Sequence, residues 1–176
     1  LTTSSRGAKA CTNNAISKYR VFYRNGSSPT TRTYDCYTHS TSTSVNIKMS
    51  GARGNNYYFK VQSIGSVSGY NSDISSAYAT SKVNQLPPAP TVTPNKTTVP
   101  SSGGSVTFTL SATDPDSQTT SFYYSTSAGG TKTKISSGDS ISVSNTTTYY
   151  FYSYDGLEYS SSYTSKAITK NIKPTI

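Results

Sequence analysis

The chain has 176 residues and a formal net charge of +9, and only 32% of its residues are hydrophobic. Sixteen tyrosines, abundant Ser and Thr, and no apolar run near the ~18 residues of a membrane helix indicate a water-facing all-β protein without a membrane span. Apolar residues do not recur at helical spacing. The low hydrophobic share would permit disorder, but the alternation and the many aromatic residues favour an ordered protein, because disordered chains are poor in both features.

The first half of the chain predicts a series of short strands separated by turns. The clearest strand contains Tyr57, Phe59 and Val61, which share one face of an extended chain, while Tyr58 and Lys60 share the other. Similar alternation predicts the other strands of this half at 16–24, 31–37, 44–49 and 74–80.

A proline-rich segment divides the chain. Leu86-Pro87-Pro88-Ala89-Pro90 favours an extended connector, so residues 1–86 and 87–176 are predicted to form separate domains. The second half repeats the plan of the first, with predicted strands at 91–93, 106–110, 122–125, 131–135, 141–143, 147–154 and 163–172. Short strands at this spacing are typical of a Greek-key β-sandwich.

The two halves share a sequence pattern in two places. Tyr57 and Phe59 recur as Tyr149 and Phe151, an offset of 92 residues (57 to 149). The triplet Val-Phe-Tyr at 21–23 recurs as Phe-Tyr-Tyr at 122–124, an offset of 101 residues (21 to 122). Two related offsets indicate a tandem repeat whose first copy carries extra residues. We expect both aromatic pairs to be largely buried.

These strands resemble those of known modules. The first half carries two motifs similar to fibronectin type III modules, Ile16-x-x-Tyr19-x-Val21-x-Tyr23 and Tyr57-x-Phe59-x-Val61-x-Ser63 followed by Gly69-x-x-Ser72. The second half resembles bacterial immunoglobulin-like repeats, in which a segment such as Ala112-Thr113-Asp114-Pro115-Asp116 precedes the third strand. The resemblance implies two tandem Greek-key β-sandwiches. The tryptophan usual near the second strand is absent, and Cys11 lies about where it would be.

Positive charge is concentrated in the first half. Ten Lys and Arg face two acids up to Leu86, a net charge of +8, whereas six Lys face five acids afterwards, a net charge of +1. If Tyr19 and its alternate neighbours point inward, one outward face combines cations and aromatic rings, namely Lys18, Arg20, Phe22, Arg24, Tyr58 and Lys60. Such a face suits an anionic polysaccharide, teichoic acid or nucleic acid. The alternative is a solvated sheet face, with Phe22 covered by a neighbouring subunit.

Catalysis and metal binding have little support in the sequence. The single histidine, His39, has no carboxylate or cysteine spaced to orient it, so we expect a non-catalytic protein without a cofactor. Two loops at one end of the second sandwich could bring four carboxylates onto a calcium ion: Asp114, Asp116, Asp155 and Glu158. The simpler interpretation is that these acids form turns.

The two cysteines, Cys11 and Cys36, predict a disulfide bond. A hairpin turn centred between Ser27 and Ser28 would place Cys36 opposite Tyr19, at the same end of the sheet as Cys11. Such a bond suits an extracellular protein. Two buried free thiols are the alternative.

The first half also lacks one strand of the family's plan. The fifteen residues before Ile16 can supply only one of the two strands expected there. An extended segment from a neighbouring chain could complete the sheet, and residues 167–176, with three isoleucines and no acid, are the predicted donor. The alternative is that the chain is a fragment whose missing strand lies upstream.

These features together predict a structural and adhesive module of a bacterial extracellular surface protein or filament. Its partners would be other subunits, as in a homo-oligomer or larger assembly, other domains of a longer chain, or an anionic cell-surface glycan. The alternatives are a phage virion protein, such as a capsid decoration or tail module that binds host glycans, and an accessory carbohydrate-binding module of a secreted hydrolase. The tyrosines of the second half suit either sugar stacking or subunit packing: Tyr123, Tyr150, Tyr152, Tyr154, Tyr159 and Tyr163.

Overall fold

The computed structural model describes residues 16–30, 32–47, 52–67 and 71–174. Within these ranges the chain forms β-strands and no helix, which confirms the predicted all-β class. None of the described segments is therefore a helix long and apolar enough to cross a membrane. The chain divides into two compact units, unit 1 at Leu1–Asn84 and unit 2 at Gln85–Ile176.

The described part of unit 1 is one antiparallel sheet of four strands. These are β1 (Ile16–Asn25), β2 (Cys36–Ser40), β3 (Asn56–Gly65) and β4 (Ala79–Lys82), in the order β2-β1-β3-β4. β1 and β3 are the longest, because both carry the alternating apolar residues that favour a half-buried strand. A second sheet of unit 1 is not found among its described residues, so the sandwich there stays a prediction.

Three predicted strands of unit 1 differ from the structure. The strand predicted at 31–37 is found at Cys36–Ser40, so only two residues are shared. Residues 44–47 carry no strand, and residues 48–49 lie outside the described ranges. The strand predicted at 74–80 begins only at Ala79. Serine side chains explain the late start, because the hydroxyl of Ser75 accepts the backbone N–H of Val61 and that of Ser72 accepts the N–H of Ser63. Side-chain hydrogen bonds thereby replace part of the backbone ladder.

Unit 2 contains two sheets. Its strands are β5 (Thr91–Pro94), β6 (Thr98–Val99), β7 (Gly104–Ser111), β8 (Ser121–Ser125), β9 (Thr133–Ile135), β10 (Ser140–Val143), β11 (Thr147–Tyr154) and β12 (Thr164–Lys170). One sheet has the order β10-β7-β5, and the other has the order β6-β12-β11-β8-β9. The short β6, which pairs parallel with β12, was not predicted from the sequence.

The two sheets of unit 2 share one hydrophobic core, so this unit is sandwich-like. The rings of Phe108 on β7 and Phe151 on β11 lie 4.9 Å apart at its centre, and both are fully buried. The other buried core residues come from every strand except β8: Val92, Val99, Val106, Leu110, Ile135, Ile141, Val143, Tyr149 and Ile168. Burial of each large side chain contributes about 1.5–3 kcal/mol.

The internal repeat is visible in the strand register. Tyr23 lies opposite Phe59 in unit 1, with ring centroids 6.1 Å apart. Tyr124 lies opposite Phe151 in unit 2, with ring centroids 6.4 Å apart. The sequence offsets of 101 (23 to 124) and 92 (59 to 151) relate the two pairs. The β1–β3 pair therefore corresponds to the β8–β11 pair.

Burial of the repeated aromatic residues follows the prediction for three of the four. Tyr57 is buried in unit 1, and Tyr149 and Phe151 are buried in unit 2. Phe59 is only half-buried. In unit 2 the inward face of the central strand is therefore the one predicted from the alternation. In unit 1 burial is divided between the two faces: Tyr57 is buried on the predicted face, but Val61 of that face is 41% exposed and Phe22 of the opposite face is only 2% exposed.

The predicted donor segment is wrong for residues 167–170, because they are part of β12. This strand pairs with β11 on one side and β6 on the other, so its backbone is already used within unit 2. Ile168 is fully buried in the core of the same unit. These residues are not free to complete another sheet.

Candidate functional site

The predicted cations and aromatic residues of unit 1 lie on one face of its sheet, called here the basic face. In the β1–β3 ladder, Phe22 is opposite Lys60 and Arg24 is opposite Tyr58. Directly opposite residues project to the same side, and alternate residues of one strand do so as well. The basic face therefore consists of Lys18, Arg20, Phe22 and Arg24 of β1 with Tyr58 and Lys60 of β3.

Strand β2 adds two residues that the sequence did not assign to this face. Tyr37 lies opposite Phe22, and His39 lies opposite Arg20. Their rings contact each other, with centroids 5.3 Å apart. The hairpin register between β1 and β2 would have identified both residues. It could be derived from the sequence only if the length of the β1–β2 connection were known.

Arg20 is held in place by four contacts. Its Nε–H donates to Nε2 of His39 at 3.1 Å, and its Nη1 donates to Oε1 of Gln62 at 3.4 Å. The guanidinium carbon lies 5.1 Å from the ring centre of Tyr37 and 5.9 Å from that of Phe22. All four partners are neutral groups, so these contacts orient the guanidinium without neutralising its charge.

Phe22 lies on the predicted side of the sheet, but it does not form the outer surface. Its side chain is only 2% exposed. The rings of Tyr34 and Tyr37 cover it, with centroids 5.1 and 6.0 Å away. Within unit 1 itself, the ring is therefore buried by Tyr34 of the β1–β2 connection and Tyr37 of β2 rather than by a neighbouring subunit. Phe22 supports the residues above it and is not itself a contact residue.

Exposed tyrosines flank the cations of the basic face. Tyr37 is 41% exposed, and Tyr78 is 55% exposed and packs edge-to-face on Tyr58 with centroids 5.4 Å apart. The face therefore presents cations and aromatic rings together. No protein-family model matches this chain, and no curated protein sequence matches it. What the face can bind follows from its own chemistry, which suits anionic groups carried on rings or chains with some apolar surface.

His39 reports the electrostatics of the basic face. Its pKa is lowered from the ordinary value of 6.5, first by desolvation and then by the positive charges of Lys18 and Arg20. The hydrogen bond from Arg20 acts in the same direction, because Nε2 accepts it only in the neutral imidazole. With a folded pKa below that of the unfolded chain, the unfolded chain binds more protons between the two values. The free energy of unfolding therefore falls as the pH drops from 6.5 through the folded pKa of His39. Above 6.5 the imidazole is neutral in both states, and this loss of stability is absent.

An NMR titration of His39, the only histidine in the chain, tests this arrangement. We expect its Hε1 resonance to titrate below 6.5, and we expect Arg20→Gln to raise the pKa part of the way back because the partial desolvation of this exposed ring and the charge of Lys18 remain. Arg32→Gln removes the same charge from an exposed position in the β1–β2 connection and should leave the pKa unchanged. A wild-type pKa at or above 6.5 would contradict the described geometry.

The carboxylates of Asp114 and Asp116 both accept hydrogen bonds from groups of unit 2. Oδ1 of Asp114 accepts the backbone N–H groups of Asp116 and Gln118, at 2.7 and 3.3 Å. The carboxylate of Asp116 accepts from the backbone and side-chain nitrogens of Gln85, at 2.7 and 2.8 Å. The Asp114 contacts organise the loop before β8, as the turn-forming interpretation predicted, whereas the Asp116 contacts join this loop to Gln85 at the start of unit 2.

Asp155 and Glu158 belong to a second turn. Oδ1 of Asp155 accepts the N–H groups of Leu157 and Glu158, at 2.7 and 2.6 Å. No group of three or more His, Cys, Asp or Glu able to hold a metal is found in the described parts of the chain, which include all four acidic candidates. These four carboxylates therefore do not converge into such a group.

The register that motivated the disulfide is wrong. Cys36 lies opposite Tyr23, and Ser40 lies opposite Tyr19. The β1–β2 connection is longer than a tight hairpin, because Thr30 and Thr33 form a turn of their own before the ladder begins. Cys36 is therefore at the connection end of β2 rather than near the start of β1. Cys11 lies outside the described residues, so its bond to Cys36 stays a prediction.

Proposed function

We propose that the protein is a non-catalytic structural and adhesive module of an extracellular assembly, such as a surface protein or filament. The basic face of unit 1 contacts an anionic partner. The observation that carries this proposal is the fixed Arg20 guanidinium, which is held by Tyr37, His39 and Gln62 on a face that carries three further cations. A side chain already held in its binding geometry loses less conformational entropy when it binds.

The distribution of charge supports an anionic partner. The first 86 residues carry a net charge of +8, and Lys18, Arg20, Arg24 and Lys60 lie on the same side of one sheet. Cations gathered on one surface raise the local potential and attract negative ligands over roughly 10 Å at moderate ionic strength. The exposed rings beside them add apolar contact with a saccharide or polyol chain. An anionic cell-surface polysaccharide is the partner that combines both features.

The fold of unit 2 supports a module of immunoglobulin or fibronectin type III kind. Its two sheets have the orders β10-β7-β5 and β6-β12-β11-β8-β9, and neighbouring strands come from distant parts of the chain. Such order is expected of Greek-key sandwiches. The shared register of β1–β3 and β8–β11 extends the same proposal to unit 1. Tandem modules of this kind suit a spacer or assembly role.

Charge reversal on the basic face tests the proposal. In the full chain, Arg20→Glu, Arg24→Glu and Lys60→Glu together lower the formal net charge from +9 to +3. We expect retention on immobilised teichoic acid and on polygalacturonate at low salt to weaken about 100-fold, from a loss of about 1 kcal/mol for each of three contacts. Affinity should be measured at two salt concentrations, with circular dichroism as the check on folding.

A matched variant separates the basic face from overall charge. Lys96→Glu, Lys170→Glu and Lys173→Glu in unit 2 produce the same net charge of +3. We expect this variant to keep most of its affinity. Equal losses in both triple variants would show that only the total charge matters. Unchanged binding in the basic-face variant would leave the cations as a solubility device.

A further inference from the structure

Unit 2 has an open groove at the place where unit 1 holds its fixed arginine. The groove has a volume of about 700 Å³, within the roughly 300–1,000 Å³ of small-molecule sites. It lies beside the start of β8. Its lining combines the rings of Tyr123 and Tyr154 with hydroxyl, amide and charged groups from the loop before β8, from β9 and from the turn after β11.

The internal repeat explains why the groove is open. Arg20 lies opposite Gln62 in the β1–β3 ladder, and Ser121 lies opposite Tyr154 in the corresponding β8–β11 ladder. Ser121 therefore occupies the position of Arg20. In unit 1 the guanidinium extends over Phe22 at this position, whereas the serine of unit 2 leaves the equivalent space unfilled.

The aromatic side of the groove is rigidly built. Tyr123, Tyr154 and Tyr159 pack on one another with ring centroids 4.7–5.8 Å apart. The hydroxyl of Tyr154 donates to the carbonyl of Gly156 at 2.9 Å, which ties the ring to the loop at the groove's edge. The rings are thus ordered before any ligand arrives, which lowers the entropic cost of binding.

We propose that this groove binds a sugar ring of an oligosaccharide. A pyranose presents C–H groups on its faces, which pack on Tyr123 and Tyr154, and hydroxyls around its edge. The hydroxyls of Ser117, Thr119 and Ser121 and the amide of Gln118 supply the hydrogen-bonding groups in the same groove. A protein partner would use this polar lining less well, because buried hydroxyls and amides need matched partners.

Lys134 determines which sugars the groove prefers. It lies opposite Tyr123 in the β8–β9 ladder and lines the groove. The carboxylate of Asp155, the acid in the lining, is buried and accepts two backbone N–H groups of its own turn. The exposed ammonium group therefore adds affinity for a uronic or sialic acid, while the ring contacts serve neutral and acidic sugars alike.

A serine-to-arginine pair tests the groove. Ser121→Arg introduces the side chain that fills this position in unit 1, and we expect it to weaken sugar binding at least 10-fold. Ser165→Arg adds the same side chain at an exposed site opposite Tyr150, outside the groove lining, and should leave affinity within twofold. Binding of the full chain is measured first on an array of neutral and acidic oligosaccharides, then by calorimetry with the strongest ligand.

Three further measurements keep the test decisive. Leu157→Ser, at a side chain that is 64% exposed, should weaken binding severalfold without affecting folding. Lys134→Gln should weaken binding of acidic sugars and spare neutral ones. Repeating the array in the Arg20→Glu, Arg24→Glu, Lys60→Glu background separates this groove from the basic face, because groove binding should persist there.

Each remaining outcome overturns the proposal. If the wild-type chain binds no sugar on the array, the groove is not a saccharide site. If Ser121→Arg binds as tightly as wild type, the sugar contacts another surface. If both Ser→Arg variants lose affinity equally, the whole tyrosine-bearing face is involved and the groove has no special role. If binding disappears in the basic-face background, unit 1 alone carries it.

Discussion

Replacing Phe151 by alanine is expected to lower the free energy of unfolding of unit 2 by about 3–5 kcal/mol. Its ring is fully buried and lies 4.9 Å from Phe108 and 6.4 Å from Tyr124, between the two sheets. Removal leaves a cavity that both sheets border, so neither can close it without losing its own pairing. A small domain has about 5–15 kcal/mol of stability in total, so the loss is a large fraction.

Urea denaturation checks this expectation, followed by circular dichroism and by hydrogen exchange of the β7 and β11 amides. Ile172→Ala is the matched control, because this isoleucine of unit 2 is 92% exposed and its loss should change the free energy of unfolding by less than about 0.5 kcal/mol. A Phe151→Ala change below about 1 kcal/mol would show that the two sheets do not share the described core.

Replacing Phe22 by alanine is expected to destabilise unit 1 by about 3–5 kcal/mol and to weaken binding at the basic face as well. The ring is almost completely buried beneath Tyr34 and Tyr37, and Arg20 lies over it at 5.9 Å. Without this support, the tyrosines and the guanidinium lose their fixed positions. The affinity falls because Arg20 and the tyrosines then lose more conformational entropy when the partner binds, although Phe22 itself is too buried to contact the partner.

Phe22→Leu distinguishes support from contact. Leucine keeps most of the apolar volume, so we expect a loss below about 1.5 kcal/mol and nearly unchanged retention on teichoic acid. Hydrogen exchange of the β1 and β3 amides gives the stability, and the retention assay gives the binding. If Phe22→Ala kept full stability but lost binding, the ring would be a contact residue, as the sequence alone suggested.

The charge of unit 1 and the groove of unit 2 belong to corresponding positions of two related sheets. Lys60 lies opposite Phe22, whereas Tyr152 lies opposite Tyr123 at the matching place in the repeat. The repeated aromatic pairs agree between the units, since Tyr23 lies opposite Phe59 in unit 1 and Tyr124 lies opposite Phe151 in unit 2. The residues of the other face differ in type, with Lys60 of unit 1 replaced by Tyr152 in unit 2, although Phe22 and Tyr152 are both buried there. We infer that the repeat has kept its packing while its two outer faces acquired different surfaces.

Local pattern accounts for the predictions that the structure confirms. The sequence predicted β11 at its observed bounds and the buried alternation of Tyr149 and Phe151. It also predicted that the cations of β1 would share a face with Lys60. In each case the side-chain period of two follows from the backbone pleat, so neighbouring residues suffice to decide which side a residue faces.

The features that the sequence did not predict depend on contacts between distant segments of the chain. The sequence could not place Cys36 opposite Tyr23, because that register depends on how the long β1–β2 connection folds. Nor could it show that Tyr34 covers Phe22, because the period of two gives the side of a sheet and not what lies above it. The groove beside Ser121 could not be predicted from the sequence either. It is lined jointly by β8, β9, β11 and two loops, which only the tertiary structure brings together.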